Sequence, residues 1–157
     1  MLLSGARARS RRSETACQTG TVDEPELRRR FAASPVARLA TVRRDGQPHI
    51  VPVVFVLADD LVYSAVDGKA KKSARLQRLI NVESEPRCSL LVDHYEDDWS
   101  RLWWVRADGL ASVVEPAAAS QGMLALVERH PQYRQLAPPG PLLAVRVTRW
   151  TGWSANP

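Results

Sequence analysis

Of 22 lysine and arginine side chains only three are lysines, and Lys69, Lys71 and Lys72 all fall within four consecutive positions. They lie in "DGKAKKSARLQR" (67–78), and Leu76 with the following Leu79 and Ile80 recur at helical spacing, so a helix is predicted over 69–82 with Asp67 as its N-cap. Cations in a first helical turn face backbone N–H groups that already carry partial positive charge, each at a cost of about 0.3–1 kcal/mol. A bound phosphate or carboxylate converts that repulsion into attraction, because a helix N-terminus is itself an anion site. On the residues alone, a solvated basic face reads as well as an anion site.

A second stretch, "DWSRLWWVRADG" (98–109), holds three of the five tryptophans beside two arginines and two aspartates. Read as a strand running on to Glu115, it puts Trp99, Arg101, Trp103, Val105 and Ala107 on one face. Ser100, Leu102, Trp104, Arg106 and Asp108 take the other. Both faces mix indole with guanidinium, which suits a cofactor-pocket wall at a subunit interface, or else cation–π packing on an exposed sheet. In "PHIVPVVF" (48–55), Pro52 cannot donate a ladder hydrogen bond and so marks an edge or a bulge. Free backbone groups around Val51, Pro52 and Val53 could pair with the polar rim of a flat heterocycle or with a neighbouring subunit.

No catalytic triad, paired acid and base or nucleophile elbow is present. His49, His94 and His130 have no metal-ligand spacing, and Cys17 and Cys88 form neither a disulfide framework nor a CxxC knuckle, so no metal site is expected. Enzymatic chemistry here would be borrowed from a cofactor, with the protein supplying binding, orientation and electrostatics.

The elements that must position these groups follow from periodicity and turn chemistry. Asp23 and Glu26 have capping-box spacing, and Leu27, Phe31 and Ala32 share a face, predicting a helix over 24–33. Strands are predicted over 36–43, 48–57 and 61–66, joined by the Asp45-Gly46 hairpin signal and the Ala58–Asp60 turn. A strand at 87–95 follows, then the tryptophan-rich strand, a helix from Pro116 that Pro131 stops, and a closing strand from Leu142. About six strands with hairpin connections and inserted helices make an antiparallel barrel of α+β type. No βαβ repeat or GxGxxG turn supports a dinucleotide fold.

The composition, 45% hydrophobic over 157 residues, suits one folded domain. Residues 1–22 read as a disordered basic tail and 23–157 as the domain. The longest uncharged apolar run, "IVPVVFVLA" (50–58), is far short of the roughly 20 residues that span a bilayer, so no membrane segment is expected. The N-terminus lacks the apolar core of a secretory signal, and the sparse cysteines suit the reducing cytoplasm. The net charge of +5 suggests nucleic acid until it is divided. Residues 1–22 hold four arginines and one glutamate, 67–78 hold five cations and one acid, and the remainder is acidic by two, so a broad basic face for a duplex is missing.

Taken together, "ARLATVRRDGQPHIVPVVF", "YSAVDGKAKK" with the following "RL", and "PRCSLLVDHYEDDWSRLWWVRADG" resemble the flavin-binding split-barrel superfamily of pyridoxamine 5′-phosphate oxidase. The likeness covers about 36–115 and is greatest to the branch that uses the deazaflavin coenzyme F420. It implies an α+β antiparallel split β-barrel and a homodimer with cofactor sites at the interface. Lys69, Lys71 and Lys72 would hold the cofactor phosphate, and Ser64 with Ala65 and the backbone of Val51, Pro52 and Val53 would face the ring or ribityl chain. Trp99 and Ser100 correspond to a Trp-Ser pair reaching the site, from the same subunit or its partner. Trp103, Trp104 and Arg106 compete for one further place, and Arg106 is counted with the cofactor-binding residues.

The expected function is therefore hydride transfer between reduced F420 and an unsaturated small molecule. Tyr63, His49, Arg101 and solvent all stay open as the proton source. An FMN-dependent oxidase or reductase and a non-catalytic flavin carrier are the alternatives on the same barrel. A nucleic-acid module remains a fourth reading, testable by salt-dependent DNA retention after removal of residues 1–22.

Overall fold

The computed structural model describes residues 22–66 and 76–156. Lys69, Lys71 and Lys72 lie outside the described residues, as does most of the basic N-terminal segment. Helix α1 (Glu24–Ala33) starts where the Asp23 carboxylate accepts the Glu26 N–H at 2.9 Å. The capping box is only half formed, because the Glu26 side chain turns to Arg29 and Arg30, both at 2.6 Å, and these hydrogen bonds hold its pKa down to about 2. Leu27 and Phe31 are buried, and the Phe31 ring lies 4.8 Å from Phe55 and 5.1 Å from Trp150. Replacing Phe31 by Ala removes the centre of this cluster and is expected to cost about 3–5 kcal/mol, read as a lowered urea midpoint at unchanged slope.

Seven strands follow: β1 (Val36–Val42), β2 (Pro48–Val54), β3 (Val56–Ala58), β4 (Leu61–Ala65), β5 (Arg87–His94), β6 (Trp103–Val114) and β7 (Leu142–Ser154). They form one antiparallel sheet in the order β2-β1-β5-β6-β7-β4-β3, curled into a half-barrel. Alternation sets its inner face: Ala37 and Leu39 of β1, Leu90 and Val92 of β5, and Val105 and Ala107 of β6 are buried. Along β4 and at Leu142–Val145 of β7 both faces are buried, because helix α3 (Ser120–Arg129) and the short α4 (Gln132–Gln135) cover the outside with a second apolar cluster around Leu126 and Tyr133. Where β6 shifts register at Asp108/Gly109, a Cβ on Gly109 would collide with the Arg146 carbonyl oxygen, so the bulge requires glycine.

Several expected elements change at their ends. The strand predicted over 48–57 breaks at Phe55, whose buried ring turns into the core. The helix predicted over 69–82 is described as α2 (Gln77–Ser84), with Leu76 as an N-cap that makes no side-chain bond. The first turn of this described helix carries no lysine, and the cationic start expected at 69–72 lies outside the described residues. α2 is tied to the barrel by a chain in which the exposed Gln77 donates to Asn81 Oδ1 (2.8 Å) and the buried Asn81 donates to Thr41 Oγ1 (2.9 Å). Pro116 opens a 3₁₀ turn (Pro116–Ala119) ahead of α3, and Pro131 also serves as the N-cap of α4.

Candidate functional site

The two ends of the sheet, β2 and β3, are consecutive in the chain and part at Phe55. The edge position expected for Pro52 is therefore observed: β2 pairs with β1 alone. On the other side, β3 pairs with β4 only through Leu61–Tyr63, while Ser64 and Ala65 have β7 on one flank and, among the described residues, no strand on the other. A cavity of about 310 Å³ lies in this split. Pro52 and Val53 line it from β2, Ser64 and Ala65 from β4, so four of the expected cofactor-binding residues are brought together. Backbone groups at such edges have no ladder to satisfy them and are open to a ligand's polar rim.

Three further walls were not foreseen. Val36 and Val54, partners across β1 and β2, close one side. Arg78 on α2 brings the one guanidinium among the described lining residues, and Tyr133 on α4 brings a phenol. Arg78 belongs to the basic run that drew attention to the lysines, so its charge was visible although its aim was not. Nothing local marks Tyr133. Its place depends on His130, buried at the α3–α4 corner, where Nε2 lies 3.0 Å from the Phe55 carbonyl oxygen. A carbonyl only accepts, so Nε2 carries the proton and donates across the very break that separates β2 from β3. The Arg129 guanidinium sits over the Phe55 ring at 5.6 Å and donates to the Ser34 carbonyl oxygen at 2.7 Å, clamping the same corner to the end of α1.

The segment bearing Lys69, Lys71 and Lys72 joins Ala65 to Arg78, two residues that line one cavity. Val51 is half-buried and packs against the core cluster rather than lining the split. The tryptophan-rich stretch departs most from expectation. Trp99–Arg101 is a 3₁₀ turn and the strand begins only at Trp103, so the two-face alternation holds from Trp103 onward. Asp98 accepts both the N–H (3.0 Å) and the hydroxyl (2.7 Å) of Ser100, which pulls its pKa down. The turn is pinned again by Asn156 Nδ2 to the Ser100 carbonyl (2.8 Å) and by the Ala155 N–H to the Leu102 carbonyl (2.9 Å). A fixed base thus presents the Trp99 indole, 77% exposed, to the outside.

Ser100 lines a separate cleft of about 780 Å³, which shares one lining residue, Val36, with the split. Arg106 lies on the outer sheet face, bonded to Asp108 at 3.0 Å, in a hollow shared with Ile50, Leu91 and Tyr95. Within one chain, then, Trp99, Ser100 and Arg106 do not join Pro52, Val53, Ser64 and Ala65. Among the named proton sources, Tyr63 packs its ring on Gly122 of α3, His49 sits by Thr41 Oγ1 at 3.4 Å, and Arg101 lines the Ser100 cleft. Cys88 is buried, and desolvation followed by the Asp108 charge pushes its thiol up to about 12, which keeps it protonated at neutral pH. Among the described residues no group of His, Cys, Asp and Glu gathers as a metal would need.

The family described as pyridoxamine 5′-phosphate oxidase matches residues 23–154. A conserved hypothetical protein of Mycobacterium tuberculosis superposes with a TM-score of 0.68 at 24% identity, covering 85% of this chain and 86% of its own. A protein of Mesorhizobium loti described as FAD-binding gives 0.68 at 20% identity, covering 87% and 97%. The heme storage protein HutZ of Vibrio cholerae gives 0.63 at 20%, covering 83% and 94%. These likenesses show the fold. No curated protein matches the sequence.

Proposed function

Because the chain belongs to the pyridoxamine 5′-phosphate oxidase family, we propose that it is an oxidoreductase that seats a flavin-type ring in the split of its barrel. The observation that carries this reading is the pair of unpaired strand edges facing one cavity, with Arg78 at its rim. A planar heterocycle with donors and acceptors on its edge fits such a slot, and a phosphate at the end of its side chain fits Arg78 together with Lys69, Lys71 and Lys72. When bound in reduced form, the deazaflavin F420 supplies a hydride from C5 to an unsaturated small molecule. The residues of the chain then bind, orient and exclude water: Ser64 and the β2 backbone fix the ring, and the cations hold its tail.

F420 is placed first on the likeness of residues 36–115 to that branch, and FMN second because a relative of the same fold is described as FAD-binding. A carrier without turnover is the third reading, supported by the relative described as a heme storage protein. Trp99 and Ser100 belong to this site only as the contribution of a second copy. The outer face of β2, β1, β5 and β6 suits that partner, with Ile50 63% and Tyr95 65% exposed beside the ion pairs Arg38–Asp93 (3.1 Å) and Arg106–Asp108. Apolar groups framed by equal numbers of acids and bases complement themselves about a two-fold axis. The reading involves no nucleic acid, and among the described residues no helix is long and apolar enough to cross a membrane.

Titration of the purified protein with F420 and with FMN, followed by fluorescence quenching, tests the assignment. Saturable one-per-chain binding of F420 at least about tenfold tighter than FMN is expected. The reverse order moves the reading to FMN, and binding of neither ring rejects it. Turnover across a panel of unsaturated acceptors separates the enzyme from the carrier.

A further inference from the structure

We propose, resting on the seat assigned to the ring, that the cleft across Val36 from the split is the substrate compartment and selects a small conjugated acid by its anionic group. The cleft shares the lining residue Val36 with the split. Its volume, about 780 Å³, falls in the range of small-molecule sites.

Charge names the ligand class. Arg29, Arg30, Arg38 and Arg101 line the cleft, against a single lining acid, Asp93. Their bonds are shared thinly. Arg29 and Arg30 divide one carboxylate, Glu26, while Arg38 takes Asp93. Arg101 takes Glu96 at 2.9 Å, which His94 also contacts at 3.1 Å. Four guanidinium groups thus share three carboxylates by direct contact, with the Asp98 charge also near Arg101, so the charges balance while only Asp93 lines the cleft itself. Each guanidinium offers five N–H donors in a planar fork, more than these shared carboxylates can accept. A carboxylate entering the cleft meets the spare N–H donors of Arg101 by charge-assisted bonds.

Shape narrows the class further. The Trp103 indole lines the cleft with the Arg30 guanidinium 5.5 Å from its centroid and the His94 ring stacked at 6.2 Å and 18°. This wall is a stack of planar groups whose positions are set by one another, so a flat conjugated acid lies along it with little rearrangement.

Calorimetric titration of the full chain with trans-cinnamate and with its neutral isostere cinnamamide tests the proposal. The acid is expected to bind at least about tenfold tighter than the amide, and added salt should narrow the gap. In Arg101→Gln the preference should fall to within about threefold, with the thermal midpoint little changed, because Arg101 lies on an exposed turn. Equal affinity for acid and amide, binding of neither, or an intact preference in the folded variant overturns the assignment. The titration needs no ring. If F420 and FMN both fail to bind while cinnamate is preferred, the seat assigned to the ring falls and the acid site stands; ring binding without acid preference removes the acid site alone.

Discussion

Arg78→Met is expected to weaken ring-cofactor binding by about ten- to a hundredfold while leaving the protein folded. Arg78 brings the one guanidinium among the described residues lining the split, and a hydrogen bond to a charged group contributes about 1.5–3 kcal/mol, which converts to that range of affinity. Helix α2 is held by Leu79 and Val82 in the core and by the Gln77–Asn81–Thr41 chain, so methionine, which keeps helix propensity and stem packing, shifts the thermal midpoint little. Fluorescence titration at two salt concentrations checks both the loss and its electrostatic origin. Replacing Lys69 and Lys71 by Ala should likewise weaken binding at least about tenfold. If Arg78 and the lysines hold one phosphate, the combined variant should lose less than the sum of the separate losses, because members of one network are not additive. Unchanged affinity in folded Arg78→Met would remove the cation from the site.

Periodicity carried most of the strand order and little of the site's closure. The β1–β2 hairpin, β4, β5 and β7 could be read because alternation and turn residues act locally, and Pro52 marked the open edge by a property of its own ring. The α1 core face was legible for the same reason, since Leu27 and Phe31 stand one turn apart. What was hidden depends on contacts between distant positions. The break at Phe55 is bridged by His130, 75 residues away. Tyr133 reaches the split because α3 and α4 fold over β4, and no pattern near residue 133 encodes that. Trp99 was misread for a different reason: the Asp98 side chain captures Ser100 and winds a 3₁₀ turn that overrides the two-residue period. Its exposure, rather than its place on a strand, is the feature that now bears on function.

That exposure sets the second large effect, expected in Leu91→Glu. Leu91 projects from β5 onto the outer face shared with Ile50 and Tyr95, beside the Arg38–Asp93 pair. In an isologous dimer one substitution appears twice, and each buried carboxylate costs several kcal/mol unless it finds a partner. Dissociation of the dimer should therefore rise by at least about a thousandfold, read by sedimentation velocity as a shift to monomer. Ring affinity should fall with it, because the Trp99 indole that closes the split would come from the other copy. Trp99→Ala separates the two causes. It should leave the dimer intact, since Trp99 stands on its own pinned turn away from the hollow, yet weaken ring binding by about three- to tenfold through lost aromatic contact. A wild-type monomer at micromolar concentration, or a Leu91→Glu dimer that binds the ring normally, would detach Trp99 and Ser100 from the site. The split would then have to hold its ligand with the groups of a single chain: the β2 edge, Ser64, Arg78 and Tyr133.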